Sequence, residues 1–63
     1  MIKVGDTIEI IVDTFESEEI DGGTIYEIVD SETVKVHLTS DPEIDCLIKK
    51  DSLGRWVAIE NIE

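Results

Sequence analysis

Thr33-Val34-Lys35-Val36-His37-Leu38-Thr39 is the stretch that decides the fold class. Its apolar residues Val34, Val36 and Leu38 alternate strictly with polar ones. This period of two is typical of a β-strand with one buried face, because successive side chains on a strand point to opposite sides. An amphipathic helix would instead repeat its apolar residues three and four positions apart. The stretch therefore predicts a half-buried strand.

Four other segments are also dominated by β-branched and aromatic residues, the residue types enriched in strands. Ile25 to Val29 carries them at both parities, which favours a strand near the middle of a small barrel. The last four residues, Glu60-Asn61-Ile62-Glu63, either continue the final strand or form one helical turn. The four segments are Thr7 to Val12, Ile25 to Val29, Ile44 to Ile48 and Trp56 to Ile59.

Polar breaks separate the predicted strands, and each has a chemical reason to turn the chain. Gly22 and Gly23 tolerate positive φ, so we expect the chain to reverse there. Pro42 cannot donate to a strand ladder. No break is long enough for a crossover helix. The breaks are Asp21-Gly22-Gly23, Asp30-Ser31-Glu32, Ser40-Asp41-Pro42-Glu43 and Asp51-Ser52-Leu53-Gly54.

These elements predict an all-β fold: a single domain over residues 1–63 in which five antiparallel strands curl into a small barrel. A chain of 63 residues is marginally stable on its own. Cys46 is the only cysteine in the sequence, so no intramolecular disulfide can form. One cysteine and one histidine are too few ligands for a structural zinc site. We therefore predict no cofactor and no metal, with stability supplied by the aliphatic residues.

The sequence also predicts a cytoplasmic protein. A single cysteine favours a reducing compartment. The first residues contain no apolar signal segment, and no apolar run approaches the ~20 residues needed to span a bilayer.

Charge is distributed very unevenly along the chain. Between Val4 and Val34 there are ten carboxylates and no lysine, arginine or histidine, whereas the second half is close to balanced. The net charge is −11. Such a field repels nucleic acid and anionic membrane and attracts basic surfaces. We therefore expect a basic protein partner, with neither direct nucleic-acid contact nor membrane contact.

Two segments resemble a known family. Lys3-Val4-Gly5-Asp6-Thr7-Ile8-Glu9-Ile10 is similar to the opening of KOW-type and related SH3-like barrels, and Gly23-Thr24-Ile25-Tyr26-Glu27-Ile28 looks like their second element. The order of elements resembles an SH3-like or Tudor-like barrel over nearly the whole chain. The resemblance implies a binding module: KOW domains contact RNA or RNA polymerase, and SH3 and Tudor domains bind peptides.

The chain departs from the nucleic-acid branch of that family in its first long loop, Asp13 to Asp21, which carries five acids and no base. A phosphate-binding surface needs lysine and arginine to displace counterions. The resemblance instead implies a loop like that of peptide-binding SH3 domains, which engages basic side chains of the ligand. Aromatic residues usually line such a groove, and only Phe15, Tyr26 and Trp56 are present to do so.

The acidic loop is the main candidate site, either as a docking surface for a basic partner or as a solvated loop that maintains solubility. Tyr26 and Trp56 are candidate aromatic anchors at an interface, and the alternative for each of them is a place in the core. The residues of the acidic loop are Asp13, Glu16, Glu18, Glu19 and Asp21.

The sequence gives little support for a cation site or for nucleophilic catalysis. Asp41, Glu43 and Asp45 alternate along an extended stretch and could face a cation together. A calcium loop of the EF-hand type would need glycine and glutamate where Cys46 and Ser52 stand. The alternation places His37 on the polar face of its strand and Cys46 on the core face. The two side chains are then too far apart for a Cys–His nucleophile pair. We predict no catalytic residues and no enzymatic activity.

The sequence thus favours a non-catalytic interaction module that presents an acidic surface to a basic protein. In a sharper form it would mimic the spaced charge of nucleic acid, as inhibitors from phages and mobile elements do. The alternative is a structural protomer that self-associates through a sheet edge. An RNA- or polymerase-binding KOW-type domain is the third option.

Screening by salt should stabilise this protein. Its charge exceeds the magnitude of about 2–8 that suits a small domain, so self-repulsion opposes folding. Moderate NaCl shortens the range of that repulsion to about 10 Å. We expect Tm to rise between low and moderate NaCl in thermal scans, and an unchanged Tm would contradict the clustering of charge.

Overall fold

The structure, a computed structural model, describes residues 2–13 and 16–62. Each strand pairs with the next one along the chain, and the first and last strands close the sheet into a barrel. None of the described residues lies in a helix. The prediction of an all-β, five-stranded barrel is confirmed, and the architecture is compatible with an SH3-like barrel. The strands are β1 (Thr7–Asp13), β2 (Glu18–Asp30), β3 (Thr33–Leu38), β4 (Asp45–Lys50) and β5 (Trp56–Ile62).

The barrel closes through a parallel contact. Every pair that is consecutive along the chain is antiparallel, whereas β1 and β5 run in the same direction and register at Ile11 and Val57. This follows from the strand count, because each hairpin reverses the chain and the first and fifth of five strands must then be parallel. The closing pair has a single registered residue pair, so it is the shortest seam of the barrel.

The core consists of fully or almost fully buried residues from the first four strands. They alternate along β3 and β4 as the period of two requires, and Cys46 is one of them. Each buried aliphatic side chain contributes roughly 1.5–3 kcal/mol relative to leaving it exposed. Trp56 and Ala58 of β5 pack at the margin of this cluster. The core residues are Ile10, Ile25, Val34, Val36, Cys46 and Ile48.

The long strand β2 divides its pairing between two neighbours. Its residues 18–24 pair with β1 and its residues 23–30 pair with β3, and Gly23 pairs with both Ile8 and Leu38. A Cβ atom at Gly23 would collide with Cδ1 of Ile10 and lie 3.0 Å from Cγ2 of Val36. The glycine therefore allows β1 and β3 to approach across β2.

The predicted turn at Asp21-Gly22-Gly23 is wrong. These residues lie inside β2, and the positive φ angles in the described chain belong to Gly5 and Gly54. The chain reverses instead between Asp13 and Glu18, which face each other across the β1–β2 pair. The glycine pair serves close packing, which the sequence alone does not distinguish from a turn.

The other predicted turns are confirmed, and aspartate side chains accept backbone N–H groups in the β2–β3 and β4–β5 turns. Ser31 and Glu32 form a two-residue hairpin loop between the paired residues Asp30 and Thr33. The Glu32 N–H donates to Oδ1 of Asp30 at 2.8 Å. In the β4–β5 turn, Oδ1 of Asp51 accepts from the N–H groups of Leu53 at 2.9 Å and Arg55 at 2.8 Å.

These hydrogen bonds lower the pKa of both carboxyls below the ordinary value of 3.8. The main causes are the backbone N–H of Glu32 for Asp30 and that of Arg55 for Asp51. A carboxyl whose pKa is lower in the folded state stabilises the fold above its unfolded pKa. That contribution is present at neutral pH and is lost as the pH falls below about 4.

Gly23→Ala should destabilise the barrel far more than Gly22→Ala. The new methyl at position 23 meets two core side chains, and overpacking of this kind costs about 1–3 kcal/mol. At position 22 the nearest atom, 3.0 Å away, is Oγ1 of the exposed Thr39, which can rotate aside, so we expect a change within about 0.5 kcal/mol. Urea unfolding of both variants measures the difference. Equal free energies of unfolding would contradict the close approach at Gly23.

Candidate functional site

The five residues of the predicted acidic loop lie mainly on paired strands. Asp13 ends β1, Glu18, Glu19 and Asp21 belong to β2, and Glu16 is exposed between the strands. Directly opposite residues of an antiparallel pair share a face, so Asp13 and Glu18 project together on the outer face. Glu19 and Asp21 project on the other face, which further along the hairpin becomes the core side. Negative charge therefore surrounds the β1–β2 hairpin.

The β3–β4 turn adds more carboxylates beside this hairpin. The Thr39 N–H donates to the Gly22 carbonyl at 2.8 Å, and the Ser40 hydroxyl donates to Oδ2 of Asp21, also at 2.8 Å. These bonds hold the turn against β2, so Asp41 and Glu43 lie at the same end of the barrel. We call this set of residues the acidic end: Asp13, Glu16, Glu18, Glu19, Asp21, Asp41 and Glu43.

The lysines and arginine of the chain lie at positions nearer the opposite end of the barrel. Lys3 precedes β1, Lys35 lies in the first half of β3, and the others end β4 or follow it in the β4–β5 turn. The Lys50 N–H donates to the Glu32 carbonyl at 2.8 Å, which joins the β4–β5 and β2–β3 turns at that end. The basic residues are Lys3, Lys35, Lys49, Lys50 and Arg55.

The fold therefore redistributes the charge that the sequence places in the first half of the chain. Asp6, Asp30 and Glu32 lie at the opposite end, among the basic residues. Ion pairs occur there too: Lys35 Nζ lies 3.4 Å from Glu27, and Nε of Arg55 lies 2.9 Å from Asp51. The acidic end combines acids from the first hairpin with acids from the β3–β4 turn, a grouping that the linear charge pattern did not indicate.

A second polar cluster lies on the outer face of the barrel, where β2, β3 and β4 meet. The rings of Tyr26 and His37 stack with centroids 4.3 Å apart and planes 18° apart. Nδ1 of His37 donates to Oδ1 of Asp45 at 2.5 Å, and the Tyr26 hydroxyl faces the other carboxylate oxygen at 3.5 Å. Partial burial raises the pKa of Tyr26, and the charge of Asp45 raises it further.

Sequence reasoning missed this cluster. Its members come from three strands, and they meet only because His37 pairs with Thr24 on one side and with Asp45 on the other. Strand register, which a single sequence does not specify, brings them together. The cluster places the predicted anchor Tyr26 on the surface, with one ring face covered by His37.

Trp56, the second predicted anchor, belongs to both the core margin and the surface. It is partly buried, and Nζ of Lys50 lies 5.0 Å from the centroid of its ring, within the range of a cation–π contact. Trp56 also lines a shallow groove with the apolar residues Ile11 and Ile20. The third aromatic residue, Phe15, lies outside the described residues.

The candidate cation residues and the cysteine do not assemble into a site. Oδ1 of Asp41 accepts from the Glu43 N–H at 3.2 Å, while Asp45 is directed to His37. In the described part of the chain no group of three or more histidine, cysteine or carboxylate side chains is arranged to hold a metal. Cys46 lies in the core, and its burial raises the pKa of its thiol. It faces away from His37.

No protein-family model matches the chain, and no curated protein or solved structure is significantly similar to it.

No helix within residues 2–13 and 16–62 is long and apolar enough to cross a membrane.

Asp45→Asn should lower the pKa of Tyr26 towards its ordinary value of 10.0 without reaching it. The substitution removes the carboxylate charge, whereas the burial that contributes most to the shift remains. Tyr26 is the only tyrosine, so the absorbance of tyrosinate during a pH titration reports this residue alone. Asp41→Asn, which removes a charge outside the cluster, should leave the titration unchanged. Identical curves for wild type and Asp45→Asn would contradict the cluster.

Proposed function

We propose that this protein is a non-catalytic interaction module that binds a basic protein surface through its acidic end. The observation that carries the proposal is the separation of charge along the barrel: carboxylates of two adjacent segments gather at one end, and the lysines and arginine occupy positions nearer the other. A patch of one sign steers an oppositely charged partner during association and fixes its orientation.

The stability cost of the acidic end supports this proposal. Asp13 and Glu18 face each other directly across two strands, and like charges in that position are destabilising. Cationic groups of a partner would neutralise both carboxylates and relieve this repulsion. Solubility alone would be served equally well by acids spread around the barrel.

The opposite end is a poor nucleic-acid surface, which argues against an RNA-binding KOW-type role. Its basic residues are interspersed with Asp30, Glu32 and Asp51, and Arg55 is already paired with Asp51. Counterion displacement from phosphates needs uncompensated positive charge. A sharper form of our proposal is that the acidic end mimics the charge of nucleic acid and occupies the groove of a nucleic-acid-binding protein in the cytoplasm.

Self-association is the alternative. Ile20, Leu53 and Ile59 are 71%, 75% and 55% exposed, and their burial between two copies of the chain would contribute to the free energy of association. Size-exclusion chromatography at moderate salt distinguishes the two functions, since a self-associating protomer elutes as an oligomer and an interaction module elutes alone.

Double variants that replace glutamate by the neutral glutamine, at the acidic end or elsewhere in the barrel, test the proposal. Glu18→Gln/Glu19→Gln removes two charges from the acidic end, and the matched control Glu27→Gln/Glu32→Gln removes two from elsewhere. We expect the first variant to bind its partner two- to thirtyfold more weakly, because each exposed ion pair contributes about 0.2–1 kcal/mol. The control should bind like wild type.

The measurement is a pull-down from a lysate of the cells that make the protein, eluted with a salt gradient and followed by affinity titration with the retained partner. Retention of basic, nucleic-acid-binding proteins that elute as salt rises is the expected result. Equal weakening by both double variants, or retention that salt does not affect, would refute binding through the acidic end.

A further inference from the structure

We propose that the open edge of β2, residues Glu18 to Asp21, binds an extended basic peptide segment as an additional strand. The inference rests on the proposed function and specifies the form of the partner: a stretch of lysine- or arginine-rich chain in β conformation. It assigns recognition to backbone hydrogen bonds as well as to charge.

The edge exists because β2 extends beyond the end of β3. Residues 18–22 of β2 pair with β1 alone, and pairing with β3 begins at Gly23. One further bond, from the Thr39 N–H to the Gly22 carbonyl, continues that side of the strand by one residue. Between Glu18 and Asp21 no strand of the described residues lies on the side of β2 away from β1.

Backbone groups of this edge point outwards at alternate residues. Gly5 and Asp6, which lead into β1, bond to the N–H and C=O of Ile25, so Ile25 faces the β1 side. The carbonyl of Gly22 faces the β3 side. Because consecutive residues of a strand direct their backbone groups to opposite sides, Glu18 and Ile20 share the direction of Gly22. Their two N–H and two C=O groups are therefore aimed at the open side.

The side chains around the edge determine which strand it accepts. Glu18 lies on the outer face of the hairpin and Glu19 and Asp21 on the other, so an added strand has carboxylates beside both of its faces. Asp41 and Glu43 lie at the end of the edge, on the β3–β4 turn. Ile20, 71% exposed, offers a cross-strand partner to one apolar side chain. The matching ligand alternates basic and β-branched residues.

The open edge of β2 does not favour pairing with the same edge of a second copy of the protein. Pairing two such edges would align Glu18, Glu19 and Asp21 with the same acids of the other molecule, and like charges on adjacent strands are destabilising. Charged side chains on an edge protect it against self-pairing. A strand that carries lysine or arginine does not meet this repulsion.

N-methylated peptides test the hydrogen bonding independently of charge. The probe is a peptide that alternates lysine and valine, prepared unmodified, methylated on either alternate set of amides, and methylated on all of them. A strand has two edges, so each half-methylated peptide keeps one edge that can pair, and we expect affinity within about threefold of the unmodified peptide. Full methylation blocks both edges and should weaken binding about tenfold or more.

Amide hydrogen exchange locates the contact. On binding of the unmodified peptide, the N–H groups of Glu18 and Ile20 should gain protection, while those of Glu19 and Asp21, which face β1, should change little. The fully methylated peptide should protect neither pair.

Two results would contradict the proposal, and each has a different meaning. If all four peptides bind equally and Glu18 and Ile20 gain no protection, strand addition is refuted while charge-based binding by the acidic end stands. If even the unmodified peptide fails to bind at low salt, the proposed function fails as well.

Discussion

Gly23 lies where β1, β2 and β3 meet, and the missing side chain at this position leaves the space that Ile10 and Val36 occupy. Both of those residues are fully buried, so a large part of the small core depends on this close approach. The same point divides β2, with β1 as partner before it and β3 after it. The barrel closes around this division, and the first residues of β2 are left with a single neighbour.

The acidic end and the open edge of β2 are consequences of that arrangement. Because β2 continues past the end of β3, the acids of the β1–β2 hairpin stand on a two-stranded arm with one open edge. The β3–β4 turn is bonded to the arm through Thr39 and Ser40 and brings its own carboxylates beside it. Negative charge, open backbone groups and the exposed Ile20 thus lie together at one end of the molecule, whereas the basic residues occupy positions nearer the other.

Local patterns predicted the strands and most of the turns. The alternation around Val36 and the two-residue loop at Ser31 and Glu32 are determined by neighbouring residues and can be read from the sequence. Gly23 was misread because glycine indicates a turn and a close approach equally well. The Tyr26–His37–Asp45 cluster and the extent of the acidic end depend on register and on which turns share an end of the barrel, so tertiary pairing had to be known first.

The divided pairing of β2 is the central claim, and contacts between α protons in a nuclear Overhauser spectrum test it most directly. Since Gly22 directs its carbonyl towards β3, the pairs Glu9–Gly22 and Ile11–Ile20 are non-hydrogen-bonded pairs, in which the Cα atoms approach to about 4.5 Å. Strong α–α cross-peaks for both pairs are the result we predict. Their absence, with short-range contacts indicating a turn at Gly22 and Gly23 instead, would contradict the structure of the hairpin and remove the open edge.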